Sequence, residues 1–418
     1  MRALYNLLLV LATPLWMAWM LHRARKRREL PVWRERFGRY DLPDKRGRPR
    51  IWLHAVSVGE VLASLPILRE LRSLAPDAEV VLSVTTSSGH RTARERAEGL
   101  FDHLVYFPLD LPWVVRRALA SIQPDALVLM ETEIWMNLLA EARRRGSATL
   151  VANGRVSDRS FRRSVRFRRF FRAALARLDW ALMQTEEDAR RIRELGAPNV
   201  QVIGNCKFDQ AAEGLDADPC EWRRLLGLPE GVPAVVIGST RGPDEEDLVL
   251  EALGRIGLAR ICAVHAPRHL ERVPELYHKA LGRLGQVALR SEGGGAAYVI
   301  LDTYGELSKV YCVADVVVIG GGFGEYGGQN LLQPLAHGKP VLHGPHMSNF
   351  AEVASAASVA GATRVCRTAE ELASVLEELL RNEGLRAQMG EAASRFVEAN
   401  LGASRRYAER ILSAIRRT

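Results

Sequence analysis

The sequence predicts an α/β protein with two doubly wound parallel sheets facing a cleft, and two observations carry this prediction. Short apolar runs alternate with stretches that have apolar residues at helical spacing, as is typical of parallel sheets. The alternation restarts after a linker at 213–219, and 418 residues are enough for two ordinary domains. We therefore expect an N-terminal anchor segment at 1–40, a first domain at 41–205, a second at 206–400 and a C-terminal helix at 401–418.

Ten strands are predicted, five in each domain. Each is a short apolar run bounded by polar residues or glycine. Ligands of open parallel sheets bind beyond the carboxyl ends of the strands, so the residues that follow each run are candidates for a site. The predicted strands are 51–56, 80–84, 126–130, 149–152 and 181–184, then 234–237, 261–264, 298–301, 316–319 and 341–343.

Residues 4–21 carry no charge, and as a helix these eighteen residues measure about 27 Å. Signal peptides place charges before the apolar region and end in a small-residue cleavage site, whereas here the charges follow and no such site is present. The sequence thus predicts a single-pass membrane anchor, with the rest of the chain on the cytoplasmic side. A helix lying in the interface is the alternative, and Asn6 and Pro14 are compatible with it. The charges that follow at once are Arg23, Arg25, Lys26, Arg27 and Arg28.

The positive charge of the chain is concentrated in one segment. Of the formal net charge of +9, nearly all lies between His22 and Arg50, where twelve Lys and Arg face four Asp and Glu. A basic excess by itself is compatible with nucleic-acid binding, but its place directly after the apolar segment favours a membrane surface. We expect the inner membrane as a partner, and no nucleic acid.

The five cysteines predict neither a disulfide framework nor a metal site. They form no CxxC pair and no Cys/His cluster at ligand spacing, which is typical of a chain in a reducing compartment. No DxD-like pair follows the strands either, so we expect no metal and no other cofactor. The cysteines are Cys206, Cys220, Cys262, Cys312 and Cys366.

The glycine-rich stretch 320–345 is the most informative part of the chain. An apolar run at 316–319 leads directly into glycines, and Asn330 opens a short helical pattern. A strand, a glycine loop and a helix N-terminus together make an anion site, because unpaired backbone N–H groups converge there. Gly321 and Gly322 would let the backbone approach a ligand closely.

Glu60 follows the first strand of the N-terminal domain, in HAVSVGE at 54–60. At the carboxyl end of a strand it is suitably placed for a general base on an acceptor hydroxyl. However, Ser57-x-x-Glu60 is also a capping-box pattern, in which the Glu60 carboxylate would only bind the Ser57 N–H. The spacing by itself does not separate the base from the cap.

Polar residues follow other predicted strands in the same way. Glu131 and Glu133 follow one strand, although Glu133 would also fit a solvent-facing position. Lys207 lies near the domain boundary, where an exposed linker lysine is the plainer interpretation. Arg268 suits a phosphate group, and Glu306 would also fit the first turn of a helix.

The order of these segments resembles the Kdo transferases of Gram-negative bacteria, which move 3-deoxy-D-manno-octulosonic acid (Kdo) from CMP-Kdo onto the lipid A precursor. The resemblance covers nearly the whole chain, and ten ordered matches are far more specific than any one of them. It implies a GT-B type fold and inverting transfer in lipopolysaccharide biosynthesis. The matches are the N-terminal anchor, 54–60, TTSSGH at 85–90, METEIWMN at 130–137, NGRVSDRS at 153–160, GNCKFD at 204–209, APRH at 266–269, YGEL at 304–307, the glycine loop and HGPHMSNF at 343–350.

The resemblance also implies roles for individual residues. Glu60 matches the general base of the family, and Glu131 and Lys207 match residues thought to stabilise the transition state. The partners it implies are the donor CMP-Kdo and a lipid A precursor, lipid IVA, as acceptor. The positions that match the CMP-binding segments are Pro267, Arg268, Gly305, Glu306, Leu307, Gly321, Gly322, Asn330, Leu332 and Gln333.

Four positions depart from the family pattern. Met136 replaces a proline, Arg241 and Gln329 each replace a histidine, and Gln333 replaces a glutamate expected to bind the ribose hydroxyls. A glutamine accepts a hydrogen bond more weakly than a carboxylate. A paralogous membrane-bound glycosyltransferase with another nucleotide sugar therefore stays an alternative, and a non-enzymatic membrane-binding protein is the second one.

The segment 155–177 holds nine arginines, one acidic residue and four phenylalanines. A solvated basic helix is the usual interpretation of such a run. Phenylalanine among arginines on a helix suits a membrane surface better, with rings in the acyl boundary and guanidinium groups on phosphates. We expect a helix that docks on the cytoplasmic leaflet and guides the acceptor.

Overall fold

The computed structural model describes residues 2–27, 32–45, 47–131, 133–212 and 214–415. Arg28, Thr132 and Glu213, which belong to segments considered above, lie outside these ranges. The chain divides into two compact units: unit 1 is Met1–Asp209 with Leu401–Thr418, and unit 2 is Gln210–Asn400.

Unit 1 is built on a seven-stranded parallel sheet in the order β3-β2-β1-β4-β5-β6-β7. The central strands β1, β4 and β5 are buried along their whole length, which explains their nearly continuous apolar sequence. The strands are β1 (Arg50–Ala55), β2 (Glu79–Val84), β3 (His103–Tyr106), β4 (Ala126–Met130), β5 (Ala148–Gly154), β6 (Trp180–Met183) and β7 (Val200–Val202).

Helices cover both faces of this sheet and make two separate cores. The first core includes Leu68 of α3 and Tyr407 of the C-terminal helix Ala403–Ile415; the second includes Leu119 of α5 and Leu139 of α6. The helices are α1 (Arg2–Arg27), α2 (Trp33–Arg36), α3 (Val58–Leu74), α4 (Ser87–Arg96), α5 (Pro112–Ile122), α6 (Met136–Arg144), α7 (Asp158–Arg166), α8 (Arg168–Leu175) and α9 (Glu186–Leu195).

Unit 2 repeats the plan with the sheet order β10-β11-β9-β8-β12-β13-β14, again parallel. Its strands are β8 (Ala234–Thr240), β9 (Cys262–Pro267), β10 (Ala288–Leu289), β11 (Tyr298–Ile300), β12 (Val316–Ile319), β13 (Val341–His343) and β14 (Thr363–Val365). Its helices are α10 (Pro219–Leu225), α11 (Pro243–Ile256), α12 (Val273–Leu284), α13 (Leu307–Val310), α14 (Leu332–Ala336), α15 (Ala351–Val359), α16 (Ala369–Arg381) and α17 (Glu383–Glu398), and four 3₁₀ turns are Asp209–Ala212, Leu270–Arg272, Arg290–Glu292 and Tyr311–Val313.

All ten predicted strands are present, and the prediction of two doubly wound sheets is confirmed. The four strands that the sequence did not predict are β3, β7, β10 and β14, the edge strands of the two sheets. Edge strands are covered on fewer sides than central ones, and these four have few buried positions. Their sequences therefore lack the apolar run by which the central strands were recognised.

The arginine-rich segment forms two helices instead of the single one that we expected. Phe167 ends α7 and precedes α8, with φ −111° and ψ 30°, outside helical geometry. Its carbonyl oxygen accepts the N–H groups of Phe170 and Phe171, which starts the second helix in a new direction. The break leaves the Phe167 side chain 57% exposed.

Candidate active site

The switch point of the first sheet lies beside β1. Because β1 sits between β2 and β4, the chain leaves β1 and β4 toward different faces of the sheet. Such a point opens a crevice at the carboxyl ends of the two strands. Glu60 follows β1, and Glu131 directly follows β4, so the two carboxylates are placed at this crevice by the strand order.

The Glu60 side chain binds backbone, although not the N–H group that the capping box requires. Its carboxylate accepts the Val56 N–H at 2.8 Å, and the Ser57 hydroxyl lies 3.4 Å from the other carboxylate oxygen. Ser57 caps α3 with its own side chain, which accepts the Glu60 N–H at 3.5 Å. Glu60 is therefore held at the start of α3, and its carboxylate is oriented by a single short bond.

Burial raises the pKa of the Glu60 carboxyl to about 7, and the nearby Glu131 and Glu133 carboxylates add to this rise. The hydrogen bonds from Val56 and Ser57 oppose it but are outweighed. A carboxylate with this pKa is a much stronger base than an exposed glutamate. Glu60 thus binds the loop and still has a raised pKa, so its role as a base stays a prediction.

Glu131 has a backbone conformation that is rare for a residue with a side chain. Its φ is +54°, and its N–H donates to the Ala152 carbonyl at 2.9 Å. Asn153, at the end of the neighbouring β5, also has a positive φ of +53°. Non-glycine residues in this region are uncommon and concentrate at functional sites. Two such residues, Glu131 after β4 and Asn153 at the end of the adjacent β5, mark the carboxyl ends of these strands as a candidate site.

The loop that carries Lys207 is bound through Cys206 near the carboxyl ends of the same strands. The Cys206 N–H donates to the Asn153 side-chain oxygen at 3.2 Å, and its thiol lies 3.0 Å from the Ala63 carbonyl of α3. Burial raises the pKa of the Cys206 thiol; Asp209 and Glu131 raise it further and Lys207 lowers it. Lys207 thus follows a residue that is bound both to the end of β5 and to α3, the helix that carries Glu60.

Arg36 is a buried charge near this edge that the sequence did not single out. Its guanidinium donates to the carbonyls of Thr85 at 2.5 Å and Phe107 at 3.3 Å, and it stacks 4.6 Å from the Tyr106 ring centroid. It lies among twelve basic residues in 22–50, and nothing in that run distinguishes it. In the sequence, Arg36 differs from these residues only in its distance from the apolar segment, and that distance does not identify a functional residue.

His54, in the same matched motif as Glu60, is unsuited to act as the base. Its ring is fully buried and stacks on Phe107 with 3.7 Å between centroids. Burial lowers the pKa of His54 to about 3, so that its imidazole stays neutral. Glu60 is left as the basic group of the motif.

The second sheet has the same switch point beside β8, between β9 and β12. Ser239 near the end of β8 has a positive φ of +62°, as Glu131 and Asn153 do in unit 1. The Arg268 N–H donates to the Thr240 carbonyl at 2.8 Å, which holds the loop after β9 against the end of β8. The Arg268 side chain is exposed, and Pro267 before it is buried as the last residue of β9.

Backbone N–H groups of the glycine loop bind an anionic group, and this group is a glutamate side chain of the protein itself. The fully buried Glu245 carboxylate of α11 accepts the N–H groups of Gly321 at 2.7 Å, Phe323 at 2.9 Å and Gly324 at 3.2 Å. It also accepts the Arg241 N–H at 2.9 Å. Our expectation that the glycine-loop amides face a ligand is therefore wrong for Gly321, because an internal carboxylate already neutralises this group of donors.

The two glycines are required by packing within the loop. Gly321 has a φ of +75°, and a Cβ there would lie 3.0 Å from Gly328. A Cβ on Gly322 would lie 2.8 Å from the Met347 sulfur. Any side chain at either position would push these segments apart, so both glycines permit a close approach within the protein, and the approach to a ligand at Gly322 stays a prediction.

Asn330 acts as a local cap. Its side-chain oxygen accepts the Leu332 N–H at 3.0 Å, and α14 has five residues, too few for an anion site at its N-terminus. Leu332 is buried in this short helix and Gln333 is half-buried. The expectation that the Asn330 helix end meets a phosphate is thus not supported by its length.

The remaining predicted donor residues lie after β11. Gly305 has a φ of +81°, and Leu307 is the first residue of α13. Glu306 accepts hydrogen bonds from Thr303 and, at 3.3 Å, from Arg290. Glu306 therefore organises this turn, whatever else it does, and the plainer interpretation of a helix start is correct in part.

A cavity of about 690 Å³ lies elsewhere in unit 2, between the segment 343–348 and α15. His343, His346 and Met347 line it, whereas Arg268 and Gln333 do not. Its volume is in the range of small-molecule sites. The matched motif at 343–350 thus borders a cavity that our list of site residues did not include.

Comparisons with known proteins agree with this architecture. A family described as 3-deoxy-D-manno-octulosonic-acid transferase (kdotransferase) matches residues 31–210. The 3-deoxy-D-manno-octulosonic acid transferase of Bordetella pertussis is 34% identical over 97% of both chains, and that of Haemophilus influenzae is 30% identical over 97% of this chain and 96% of its own. The crystal structure of a glycosyltransferase from Rickettsia africae is 12% identical, covers 89% of this chain and 100% of its own, and superimposes with a TM-score of 0.58, which shows the fold alone.

Two doubly wound parallel sheets of this kind, with that structural likeness, define a protein of the GT-B fold. The extent of the sequence identity is decisive for the family, since it covers nearly the full length of both chains. The chain belongs to the 3-deoxy-D-manno-octulosonic acid (Kdo) transferase family.

Proposed function

We propose that this glycosyltransferase transfers Kdo from CMP-Kdo to a hydroxyl group of a lipid A precursor, lipid IVA, with inversion at the anomeric carbon. The family supplies the donor sugar and the pathway of lipopolysaccharide biosynthesis. The single observation that carries the chemical mechanism is the raised pKa of Glu60 at the switch point of unit 1.

Glu60 serves as the general base in this proposal. A base works best when its pKa lies near the working pH, because it is then both ionised and able to hold the proton it removes. With a pKa of about 7, the Glu60 carboxylate meets both conditions. It takes the proton of the attacking hydroxyl while the bond between the Kdo anomeric carbon and the CMP phosphate oxygen breaks.

Glu131 and Lys207 stabilise the transition state in this proposal. Lys207 supplies a positive charge near Glu131, since both charges affect the pKa of the Cys206 thiol. Glu131, held in its rare backbone conformation, favours positive charge that develops on the sugar ring. Residues 41–205 would accordingly bind the acceptor.

Residues 206–400 would bind the donor, with Arg268 at the CMP phosphate and Gln333 at the ribose. The exposed Arg268 side chain follows β9 at the switch point of the sheet, as expected for a phosphate ligand. Arg268→Ala should raise the KM for CMP-Kdo because a ground-state contact is lost. Gln333→Glu should tighten CMP binding, since a carboxylate accepts the ribose hydroxyls more strongly. If titration calorimetry shows unchanged nucleotide affinity in both variants, CMP does not bind at Arg268 and Gln333.

The membrane carries the acceptor, and unit 1 has two features that suit it. Among the described residues, Arg2–His22 is long and apolar enough to cross a bilayer, by length and composition alone. Helices α7 and α8 expose seven arginines, namely Arg159, Arg162, Arg163, Arg166, Arg168, Arg169 and Arg172. We place the enzyme at the inner membrane with both units on the cytoplasmic side, where guanidinium groups would contact lipid phosphates.

The direct test is transfer by the purified enzyme in anionic vesicles that contain lipid IVA. CMP-Kdo should give products whose mass increases by whole Kdo residues, and the Kdo linkage should have the anomeric configuration opposite to that in the donor. UDP- and other CMP-sugars are the matched controls, and transfer from one of them in place of CMP-Kdo would favour the paralogue that the departures at Arg241, Gln329 and Gln333 allow. Retention of configuration would contradict the single-displacement mechanism.

A further inference from the structure

Helix α1 has two different faces. The large side chains on one face are exposed and apolar, and they recur every three or four positions, as residues on one side of a helix do. The side chains on the opposite face are partly covered by the rest of unit 1. The exposed face consists of Leu4, Leu7, Leu8, Leu11, Leu15 and Trp19, and the covered face includes Tyr5, Asn6, Leu9, Thr13 and Trp16.

Polar bonds hold the first turn of α1 to unit 1. The Tyr5 hydroxyl donates to the Asp110 carboxylate at 2.8 Å. The Asn137 side chain accepts a bond from Arg2 at 2.9 Å and donates one to the Asn6 side chain at 2.7 Å. The start of α1 is thus bound by three hydrogen bonds.

The partners of these bonds belong to the folded core of unit 1. Asp110 accepts the N–H groups of Asn137 and Leu138 at 3.0 and 2.8 Å, and Asn137 donates to the Asp110 carbonyl. Both side chains are buried. The polar group that receives α1 is therefore preformed at the junction between Asp110 and the start of α6.

The same face of α1 is in contact with unit 1 at its middle. Trp16 packs edge-on against Trp33, with 6.2 Å between ring centroids. Between this contact and the first turn, Leu9 and Thr13 line an apolar cavity of about 210 Å³ together with Phe107 and other residues of unit 1. From Arg2 to Trp16 the helix lies along the unit for about 21 Å.

This arrangement is incompatible with a helix that crosses the bilayer. A spanning helix places about 30 Å of its length in hydrocarbon, and its first turn would leave the membrane on the far side. The bonds of Tyr5 and Asn6 to Asp110 and Asn137 would then require the core of unit 1 to enter the hydrocarbon. Buried carboxyl, amide and guanidinium groups are too costly there, by roughly 2.5–3.5 kcal/mol or more for a charged side chain.

We infer that α1 lies flat in the cytoplasmic leaflet, with its covered face docked on unit 1 and its leucine face in the acyl boundary. The neighbouring surface supports lipid as the occupant: Phe170 of α8 packs on Tyr5 with 5.2 Å between centroids. This contact places the exposed arginines of α7 and α8, and the exposed Phe167, on the surface beside α1 and its leucine face. An apolar stripe beside a basic surface fits an anionic leaflet. The inference depends on neither the donor nor the acceptor.

Depth measurements separate the two arrangements. Nitroxide labels at Leu4→Cys, Leu8→Cys, Leu11→Cys and Leu15→Cys, each with Cys220→Ser, are compared in phosphatidylethanolamine–phosphatidylglycerol vesicles. A flat α1 puts all four at one shallow depth, about 5–10 Å into the boundary. A spanning α1 makes the depth change along the helix, over about 16 Å between Leu4 and Leu15. A label at Thr13→Cys, on the covered face, should have little contact with lipid.

A topology measurement in cells completes the test. Ala3→Cys in the Cys220→Ser background is treated with an impermeant maleimide in spheroplasts; the parent chain, with its exposed Cys220, is the matched control. Labelling of Ala3→Cys only after lysis supports the inference. Labelling of Ala3→Cys in intact spheroplasts, with Cys220 protected in the parent chain, overturns the inference. Contact of the four nitroxide labels on α1 with protein and not with lipid also overturns it, because a second copy of the chain would then cover the leucine face. Labelling of both cysteines in intact spheroplasts would place α1 and unit 2 on the outer side of the membrane, and it would also overturn the inference.

Discussion

At the scale of single residues, Glu60 shows how one side chain serves two purposes. Its bond to Val56 fixes the turn from β1 into α3, and a hydrogen bond of this kind would by itself lower the pKa of the carboxyl. Burial and the carboxylates of Glu131 and Glu133 are the stronger effects, so the carboxyl stays basic. The sequence offered a base or a bond to the Ser57 N–H; the carboxylate binds the Val56 N–H instead, and the role of base stays a prediction.

Replacement of this carboxyl is the sharpest test of its role. Glu60→Gln retains the acceptor for the Val56 N–H and removes the base, so turnover should fall by about 10²–10⁴ while folding is kept. Glu70→Gln, on the same helix, is the matched control and should leave turnover nearly unchanged. Thermal unfolding shows whether each variant folds, and a Glu60→Gln enzyme with near-normal turnover would leave only the capping role.

The pH profile tests the physical cause of the raised pKa. The base must be ionised, so kcat/KM should rise with pH and level off above about 7. The Glu133 carboxylate raises the pKa of Glu60, and its removal in Glu133→Gln should move the midpoint to lower pH. A midpoint that stays in place would show that the Glu133 carboxylate does not contribute to the raised pKa of Glu60.

At the scale of elements, the strand ends carry most of the information about the site. Central strands were recognised because both of their faces are buried, and the polar residues that follow them were therefore also found. Edge strands β3, β7, β10 and β14 were not, since their partial exposure removes the apolar run. The loss costs little for the site, because the switch points lie beside the central strands β1 and β8.

The glycine loop after β12 yields a prediction about its internal anion. Glu245→Gln leaves one acceptor oxygen and places an N–H₂ group either against the N–H donors of Gly321 and Arg241 or against those of Phe323 and Gly324. We expect unfolding free energy to fall by about 1–3 kcal/mol, and CMP affinity to fall because the loop is loosened. Glu251→Gln, on the exposed side of the same helix, should change neither. Calorimetry of unfolding and of CMP binding gives both values, and wild-type stability in Glu245→Gln would mean that the carboxylate does not hold the loop.

At the scale of the whole molecule, our proposals assign membrane attachment and the general base to the same unit. Unit 1 contains α1, the basic helices α7 and α8, and the Glu60 edge. A lipid acceptor with two phosphates would meet the arginines first and the base afterwards. Changes to the basic surface should therefore reduce transfer to the lipid acceptor and leave donor binding unchanged.

Charge reversal tests this separation. In Arg163→Glu, Arg166→Glu and Arg169→Glu combined, transfer to lipid acceptor in anionic vesicles should fall by about a hundredfold, since about 1 kcal/mol is lost for each basic residue near the surface. CMP-Kdo binding should stay at the wild-type value. The same change of charge at Arg367, Arg381 and Arg395, three exposed arginines of unit 2, is the control. Normal acceptor kinetics after the first reversal would exclude a role for α7 and α8 in acceptor capture.

The sequence by itself determined the two doubly wound sheets, the central strands, the close approach at Gly321 and Gly322, and the candidates Glu60, Glu131 and Lys207. These follow from local patterns: apolar runs, their spacing, and the residues that come next along the chain. The tertiary structure alone decided that Glu245 fills the glycine loop and that α1 has one face on unit 1. It also decided the pKa of Glu60. Each of these depends on burial and on groups distant in sequence, which the order of strands in the sheet brings within a few ångströms, and no local pattern records that.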